Sequence, residues 1–317
     1  MKKAWIYLIV TTLIATVGCE QSAKKDDLKE PIEKPEENTE QLRTIDLETL
    51  RSELGMEGQE QDGQFKITVP QNDLNVMVDG FKIIPPMGLG SWVAFAPTSG
   101  DPMIMGDIVV TEKDLKPVQR EVIEQGLTIT AIHNHFVRNE PDVMYMHIGG
   151  MGDEKKLARG VRAVFDKVTE IRGGDPAGKA ISKVENTIGT KMIDSILGYS
   201  GTMNNGVYKI TIGRPDVALT EHGAPVGTFL GFNTWASWQG TPEKAAVAGD
   251  FTMLASEVTP VIKALAENDI EVVAVHNHMV HEEPRIFFLH YWGVGPAEKL
   301  AKGLKAALNK TGVTSGK

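Results

Sequence analysis

The chain has 317 residues, of which 41% are hydrophobic and 24% are charged, so it can bury a sizeable core and is not a wholly disordered protein. Asp and Glu outnumber Lys and Arg by 42 to 33, and only 6% of the residues are aromatic. An acidic chain with few aromatic side chains lacks the basic surface and the stacking platforms on which nucleic acids bind. We therefore exclude nucleic acid as a partner, and the single cysteine excludes an intrachain disulfide.

The N-terminus has the pattern of an export signal. Its first three residues, Met-Lys-Lys, are basic, and residues 4–18 form an apolar run that is short for a membrane span but suits a signal-peptide core. The small residues before Cys19 resemble a bacterial lipobox, in which cleavage leaves a lipid-bearing cysteine at the new N-terminus. The sequence thus predicts a signal peptide over residues 1–18 and a protein exported and lipid-anchored through Cys19 to a membrane of the cell envelope. The alternative is an ordinary exported protein with a chance cysteine.

A charged segment follows the cysteine. Residues 19–44 are rich in Glu and Lys, contain two prolines and have few apolar side chains to bury. Such a composition predicts a disordered tether, which would hold a folded body away from the membrane surface.

The body of the chain is an internal duplication. At an offset of 143 residues, the triplet Lys-Ile-Thr at 66–68 recurs at 209–211, and the triplet His-Asn-His at 133–135 recurs at 276–278. A period this long indicates two duplicated domains, because solenoid repeats are much shorter. The predicted parts of the body are a first repeat at 45–168, a linker at 169–187 and a second repeat at 188–317.

Each repeat is predicted to be α+β, with a mostly antiparallel sheet and helices, and the two tandem copies are expected to be related by pseudo-twofold symmetry. In the first repeat a short helix is predicted at 47–54. A later helix is expected to have Pro117 in its first turn, where proline is tolerated. A β-branched strand is predicted at 127–135, with a return strand at 143–148 after a short turn.

The chemistry of this sequence is concentrated in its histidines. Seven of the eight fall in two windows, 133–147 and 276–290, and each window reads His-Asn-His, eleven residues, then His. On a strand, residues two apart share a face, so the two histidines of each triplet should point the same way, and the return strand should bring the third beside them. The alternative is that these are hairpin histidines satisfied by backbone groups.

Three convergent neutral imidazoles would form a transition-metal site in each copy. Zinc is favoured because it accepts three histidines and keeps a fourth position open for water or substrate. The predicted ligands are His133, His135 and His147 in the first copy, and His276, His278, His290 and the additional His222 in the second.

Four acidic residues are candidates for roles beside these histidine motifs. Glu140 and Glu283 occupy equivalent positions, each before a proline, and are candidate catalytic bases or fourth ligands, with a solvated turn as the alternative. Asp107 and Asp250 each follow a glycine. They are candidates for orienting histidine nitrogens, but turn formation is the favoured interpretation.

The repeated motifs resemble those of a bacterial lipoprotein family. Ala-x-His-Asn-His-x-Val-x-x-Glu-Pro and the later His-x-x-Gly-x-Gly occur in both copies, and they look like the LppY/LpqO family, which is uncharacterised. The resemblance covers residues 45–310. It implies a duplicated architecture and an envelope location, and it supplies no reaction.

The metal motif alone is similar to the zinc site of acetolactate decarboxylase, in which three histidines bind zinc. The similarity implies the same ligation by the two histidine sets above, but it transfers no reaction because the substrate-handling residues have no match here. The cupin metal motif is a competitor, although the third histidine comes too early in the sequence for it.

Two classes of function remain. The first is a metal-dependent hydrolase or lyase that acts on a small carbonyl or ester substrate, with zinc or another divalent transition metal as cofactor. The second is a non-catalytic metal- or ligand-binding lipoprotein. An open coordination position beside a deep cleft favours the enzyme, whereas four protein ligands without a cleft favour the binder.

Overall fold

A computed structural model of the protein describes residues 42–313. The predicted signal peptide, Cys19 and nearly all of the predicted tether lie outside these residues. Within residues 42–313, no helix is both long enough and apolar enough to cross a membrane.

The two repeats contain the same elements in the same order. The elements of the first repeat are α1 (Leu47–Leu54), β1 (Gln59–Gln61), β2 (Gln64–Pro70), β3 (Val76–Val78), β4 (Phe81–Ile83), a 3₁₀ turn (Pro85–Met87), β5 (Gly90–Ala96), β6 (Met103–Thr111), α2 (Glu112–Glu124), β7 (Thr128–His133), β8 (Asn139–Glu140), β9 (Val143–Met151) and α3 (Glu154–Arg172). The elements of the second repeat are α4 (Thr190–Leu197), β10 (Thr202–Asn204), β11 (Val207–Gly213), β12 (Thr220–Glu221), β13 (Ala224–Pro225), a 3₁₀ turn (Thr228–Leu230), β14 (Asn233–Gly240), β15 (Ala245–Leu254), α5 (Ala255–Ala266), β16 (Glu271–His276), β17 (Glu282–Glu283), β18 (Ile286–Gly295) and α6 (Ala297–Leu308).

Each repeat is built around a six-stranded antiparallel sheet. The strand orders are β1-β2-β5-β6-β9-β7 and β10-β11-β14-β15-β18-β16, which correspond strand for strand. Each repeat adds a small three-stranded sheet, β4-β3-β8 in the first and β13-β12-β17 in the second. The predicted fold class is confirmed, since the chain forms two tandem α+β copies of one antiparallel-sheet domain.

The period of two along a strand gives each large sheet an apolar face and a polar face. On β2, Phe65, Ile67 and Val69 are buried in the core that α1, α2 and α3 cover, whereas the side chains of Lys66 and Thr68 point to the opposite face. The second repeat has an equivalent core beneath α4, α5 and α6. The helices therefore cover one face of each sheet and leave the polar face to meet the other repeat.

Two local predictions were wrong. Helix α2 begins at Glu112 because Thr111 and Asp114 form a capping box, so Pro117 lies in the second turn of the helix and not in the first. Strand β7 ends at His133, so His135 lies beyond the strand. A bulge between Ile129 and Ala131 interrupts the pairing of β7 with β9, and this irregularity leaves no signal in the hydrophobic pattern.

The two repeats pack through reciprocal contacts. The ring of Trp235 lies against Gly88, and the ring of Trp92 lies against Gly231, the equivalent glycine. Apolar clusters with members from both copies flank this contact on two sides. Reciprocal use of the same positions is the property of a twofold interface, so the copies are related by a pseudo-twofold axis.

This packing can be tested at a glycine. Gly88 has φ of 104°, and a Cβ added there would lie 3.1 Å from the Trp235 ring, whereas Gly80 has φ of 84° and open space around it. Alanine strains the left-handed backbone at both positions by about 1 kcal/mol. We expect Gly88→Ala to lower the free energy of unfolding by about 1 kcal/mol more than Gly80→Ala, because only Gly88→Ala crowds the contact between the repeats. Equal losses in urea denaturation would contradict the packing.

Candidate metal centre

A row of side chains crosses the polar face of each sheet. In the first repeat, Thr68 pairs with Trp92, Trp92 with Asp107, and Asp107 with His147. Directly opposed residues of antiparallel strands share a face, so these four side chains form one row. The equivalent row of the second repeat consists of Thr211, Trp235, Asp250 and His290.

The other two histidines of each copy lie at and just beyond the end of the strand next to this row. His133 ends β7 and pairs with Tyr145, which places it on the same face as His147. His135 follows the strand end and stacks on the Tyr145 ring, with centroids 3.3 Å apart. The hairpin thus brings the histidines of one copy to one face, although His135 reaches it from beyond the strand end and not through the predicted alternation along the strand.

The two polar faces meet, and the histidines form one buried cluster between the repeats. The ring of His133 stacks on that of His276, with centroids 3.6 Å apart. The reciprocal pairs across the interface are His135 with His290 at 3.8 Å and His147 with His278 at 4.0 Å. We call these residues the six-histidine cluster, and each of them is at most 9% exposed. The sequence predicted two separate three-histidine sites, whereas the structure joins both triplets in a single cluster.

One nitrogen of each imidazole is oriented by a fixed acceptor. Nδ1 of His147 and Nδ1 of His290 lie 3.2 and 3.1 Å from backbone carbonyl oxygens of the neighbouring strand. Nδ1 of His133 and Nδ1 of His276 face the carbonyl oxygen of the following asparagine at 3.5 and 3.3 Å. A carbonyl oxygen only accepts, so Nδ1 carries the proton in these rings and Nε2 keeps its lone pair.

His135 and His278 lie close to carboxylates. Their Nε2 atoms lie 3.5 Å from Oδ2 of Asp107 and 3.7 Å from Oδ2 of Asp250. Burial raises the pKa of both aspartates, that of Asp250 to well above its usual range. These aspartates lie within β6 and β15, so the favoured interpretation of turn formation was wrong. The alternative role, orienting histidine nitrogens, agrees with their positions.

The second nitrogen of each ring is buried without a partner. Among the described residues, such nitrogens are Nε2 of His133, His147, His276 and His290, and Nδ1 of His135 and His278. A buried polar atom without a partner costs about 1–3 kcal/mol. Six such nitrogens lie together in this cluster. A metal ion accepts nitrogen lone pairs and would supply the missing partner, so the arrangement fits a metal site.

Burial also keeps these imidazoles neutral. Desolvation lowers the pKa of His276 to about 3 and that of His147 to about 4. The same cause holds the pKa values of the other four rings well below the usual range. The neutral ring is the form that binds metal, so all six imidazoles are in the metal-binding form at neutral pH.

Three groups within the cluster can bind a metal ion. Their donor atoms lie within 4.8 Å of one another in each of the groups His133–His276–His290, His147–His276–His278 and Asp107–His133–His147. Two nitrogens bound to one zinc at 2.0–2.1 Å are at most about 4.2 Å apart, so small side-chain shifts bring a group onto one ion. Two of the three groups combine residues from both repeats.

The remaining predicted site residues lie elsewhere. Glu140 and Glu283 are exposed on the small sheets, and their catalytic role stays a prediction. The ring of His222 lies 4.6 Å from that of His281, and its Nε2 is 3.6 Å from Oε1 of Glu221. His222 and the predicted ligand His135 belong to none of the three groups found among the described residues, and neither predicted triplet of a single copy forms such a group.

A cavity of about 280 Å³ opens beside the six-histidine cluster. Its lining includes four of the cluster histidines, both aspartates and two lysines, namely His135, His147, His278, His290, Asp107, Asp250, Lys66 and Lys209. Sequence reasoning missed the lysines as site residues. The sequence does contain a signal for them, because lysine occurs at both of these positions, 143 residues apart, on a strand whose other face is apolar.

The fold and the cluster together define a class: a duplicated α+β domain with a histidine-rich centre shared by its two copies. Residues 48–167 and 191–310 each match the family described as Domain of Unknown Function (DUF1259). The two matches cover more than half of the chain, which therefore belongs to this family. The predicted membership of an uncharacterised duplicated-domain family is thereby confirmed. No curated protein and no solved structure gives a significant match.

Proposed function

We propose that the protein is a zinc-dependent hydrolase or lyase that acts on a small carbonyl or ester substrate. One observation carries this proposal. Each of six buried imidazoles has one nitrogen facing a carbonyl or carboxylate oxygen and the other without a hydrogen bond of good geometry, and four of these rings line a cavity. Oriented imidazoles with free lone pairs are the usual ligands of catalytic zinc, and the adjacent cavity supplies room for a substrate.

The chain's own residues supply the remaining chemistry. Bound zinc contributes Lewis acidity, which polarises a carbonyl or activates water. Asp107 and Asp250 line the cavity, and their raised pKa values suit them to take up and return a proton at Oδ2. The indole rings of Trp92 and Trp235 form apolar walls that exclude water from the reacting group.

A non-catalytic metal-binding function is the second candidate. Each group brings three donors together, and a fourth imidazole of the cluster moved onto the same ion would close its coordination shell, which is typical of structural or stored zinc. The cavity beside the cluster favours the enzyme, whereas the number of available ligands favours the binder.

Turnover by zinc-loaded and chelator-treated protein separates the two candidates. We expect zinc-dependent cleavage of at least one member of a panel of small esters, lactones and hydroxy ketones. Asp250→Asn should lower kcat for that substrate by about 100-fold, the usual scale of general acid–base catalysis, when both proteins are assayed at a zinc concentration that saturates them. Stoichiometric zinc without any turnover would favour the binder and contradict the enzyme.

We also propose that this is an envelope lipoprotein of the LppY/LpqO type, anchored through Cys19. The lipobox-like residues before that cysteine and the duplicated domain support the proposal. We expect Cys19→Ser to abolish incorporation of radiolabelled palmitate and to release soluble or unprocessed protein on fractionation. A variant that stays in the membrane fraction with its signal peptide cleaved, as wild type does, would contradict the lipid anchor.

A further inference from the structure

Two lysines meet the six-histidine cluster across the central cavity. Lys66 on β2 and Lys209 on β11 occupy equivalent positions and line the same cavity as four cluster histidines. The Nζ atom of each lies 4.1 Å from the centroid of a tryptophan ring, Trp92 for Lys66 and Trp235 for Lys209. The two ammonium groups are therefore held in place against rigid aromatic walls.

Among the described residues neither lysine forms an ion pair with a carboxylate, although Asp107 and Asp250 line the same cavity. Lys66 donates a hydrogen bond of 2.9 Å to the backbone oxygen of Phe229, which is uncharged. Within residues 42–313, neither Lys66 nor Lys209 has a carboxylate oxygen within ion-pair distance, although Asp250 attracts Lys209 from further away. Desolvation lowers the pKa of both lysines to about 8, and repulsion from Lys209 adds to the effect on Lys66. Burying two ammonium groups in one small cavity costs free energy through desolvation and mutual repulsion. An anion bound between them would offset that cost.

We propose that the cavity binds a small organic oxyanion, a carboxylate or a phosphate, with its anionic oxygens between Lys66 and Lys209 and its reacting group toward the six-histidine cluster. The placement of the reacting group rests on the proposed function, whereas the anion subsite does not. The anion subsite defines the substrate class as small anions, such as keto or hydroxy acids, their esters, or phosphorylated carbonyl compounds.

The other lining residues fit such a ligand. Thr68 and Thr211 lie two residues beyond the lysines on the same strand faces, and their hydroxyl groups can donate to anionic oxygens. The indole rings of Trp92 and Trp235 complete this part of the lining. A cavity of about 280 Å³ has the volume of roughly nine water molecules, which limits the ligand to a small molecule.

Calorimetric titration with three probes tests the subsite. The probes are butyrate, inorganic phosphate and the neutral amide butyramide, each added to zinc-loaded and to chelator-treated protein. The test variant is Lys66→Met with Lys209→Met. Its matched control is Lys263→Met with Lys302→Met, which removes the same charge from exposed helix positions. Circular dichroism and zinc analysis accompany each protein.

We expect at least one of the two anions to bind wild type and the control with equal affinity, and to bind the test variant at least about tenfold more weakly, with zinc content unchanged. Butyrate alone identifies a carboxylate ligand, and phosphate alone identifies a phosphate ligand. Equal affinity of the test variant and the control, or binding of butyramide as tight as that of either anion, would overturn the subsite. If the double variant is unfolded, Lys209→Gln alone replaces it with the same criteria. Lysine-dependent anion binding by protein that takes up no zinc would refute the zinc proposal and leave the anion subsite standing.

Discussion

Replacement of His276 by alanine is expected to lower the zinc affinity of the protein by at least about 100-fold. His276 belongs to two of the three groups that can bind a metal ion, and its Nε2 is one of the buried nitrogens without a partner. Loss of a residue that only orients a ligand typically costs 10–100-fold in metal affinity, so loss of a ligand itself should cost at least as much. The substitution removes a costly unsatisfied nitrogen from the metal-free protein, and we expect the fold to persist.

Competition titration against a chromogenic zinc chelator measures this effect. His222→Ala is the matched control, because His222 lies beside His281 and in none of the three groups. The control should keep the wild-type affinity. Equal affinities for His276→Ala and wild type, or a larger loss in His222→Ala, would contradict the assignment of the centre to the six-histidine cluster.

The metal-free protein is expected to lose much of its stability between pH 7 and pH 5. A histidine in an unfolded chain has a pKa near 6.5, whereas burial lowers the folded-state pKa of His147 to about 4 and that of His276 to about 3. Below pH 6.5 the unfolded state therefore binds more protons, and stability falls as the pH drops toward the folded-state values. Each such histidine contributes a loss of up to about 2 kcal/mol at pH 5.

The two buried aspartates act in the opposite direction. Their folded-state pKa values are raised, so protonation of Asp107 and Asp250 favours the folded state as the pH falls. Because two aspartates oppose six histidines, the net effect of lowering the pH is still to destabilise the folded protein. Urea denaturation in excess chelator at pH 7, 6 and 5 gives the free energies. His147→Gln should reduce the dependence on pH. Equal stability of the wild type at pH 5 and pH 7 would show that these histidines are not buried in the neutral form.

Much of the fold could be predicted from the sequence because its signals are local or repeated. The helix at 47–54 has the predicted bounds, since Asp46 caps its start and Gly55 ends it in the left-handed conformation. The fixed 143-residue offset predicted two copies of one domain. The predicted position of Pro117 was wrong because a capping box that starts six residues earlier, at Thr111, determines where α2 begins. One lost hydrogen bond does not prevent a helix from continuing through a proline.

The joining of the two histidine triplets could not be predicted in the same way. Period-two patterning places His133 and His147 on one face of a sheet, but it does not say what covers that face. The contacts of His133 with His276 and of Trp92 with Gly231 connect residues far apart in sequence, and they depend on how the repeats dock. Lys66 was not predicted as a site residue for the same reason. An isolated lysine on a strand is expected to be solvated, and only the docking of the other repeat buries it.

The position of bound zinc tests the central claim most directly. Crystals of zinc-loaded protein, measured on both sides of the zinc absorption edge, would locate the ion by its anomalous scattering. We expect a peak within the six-histidine cluster, with nitrogens from both repeats about 2.0–2.1 Å from the ion and His276 among them. No peak in the cluster after loading with excess zinc, or ions bound only by residues outside it, would contradict a metal centre shared by the two copies.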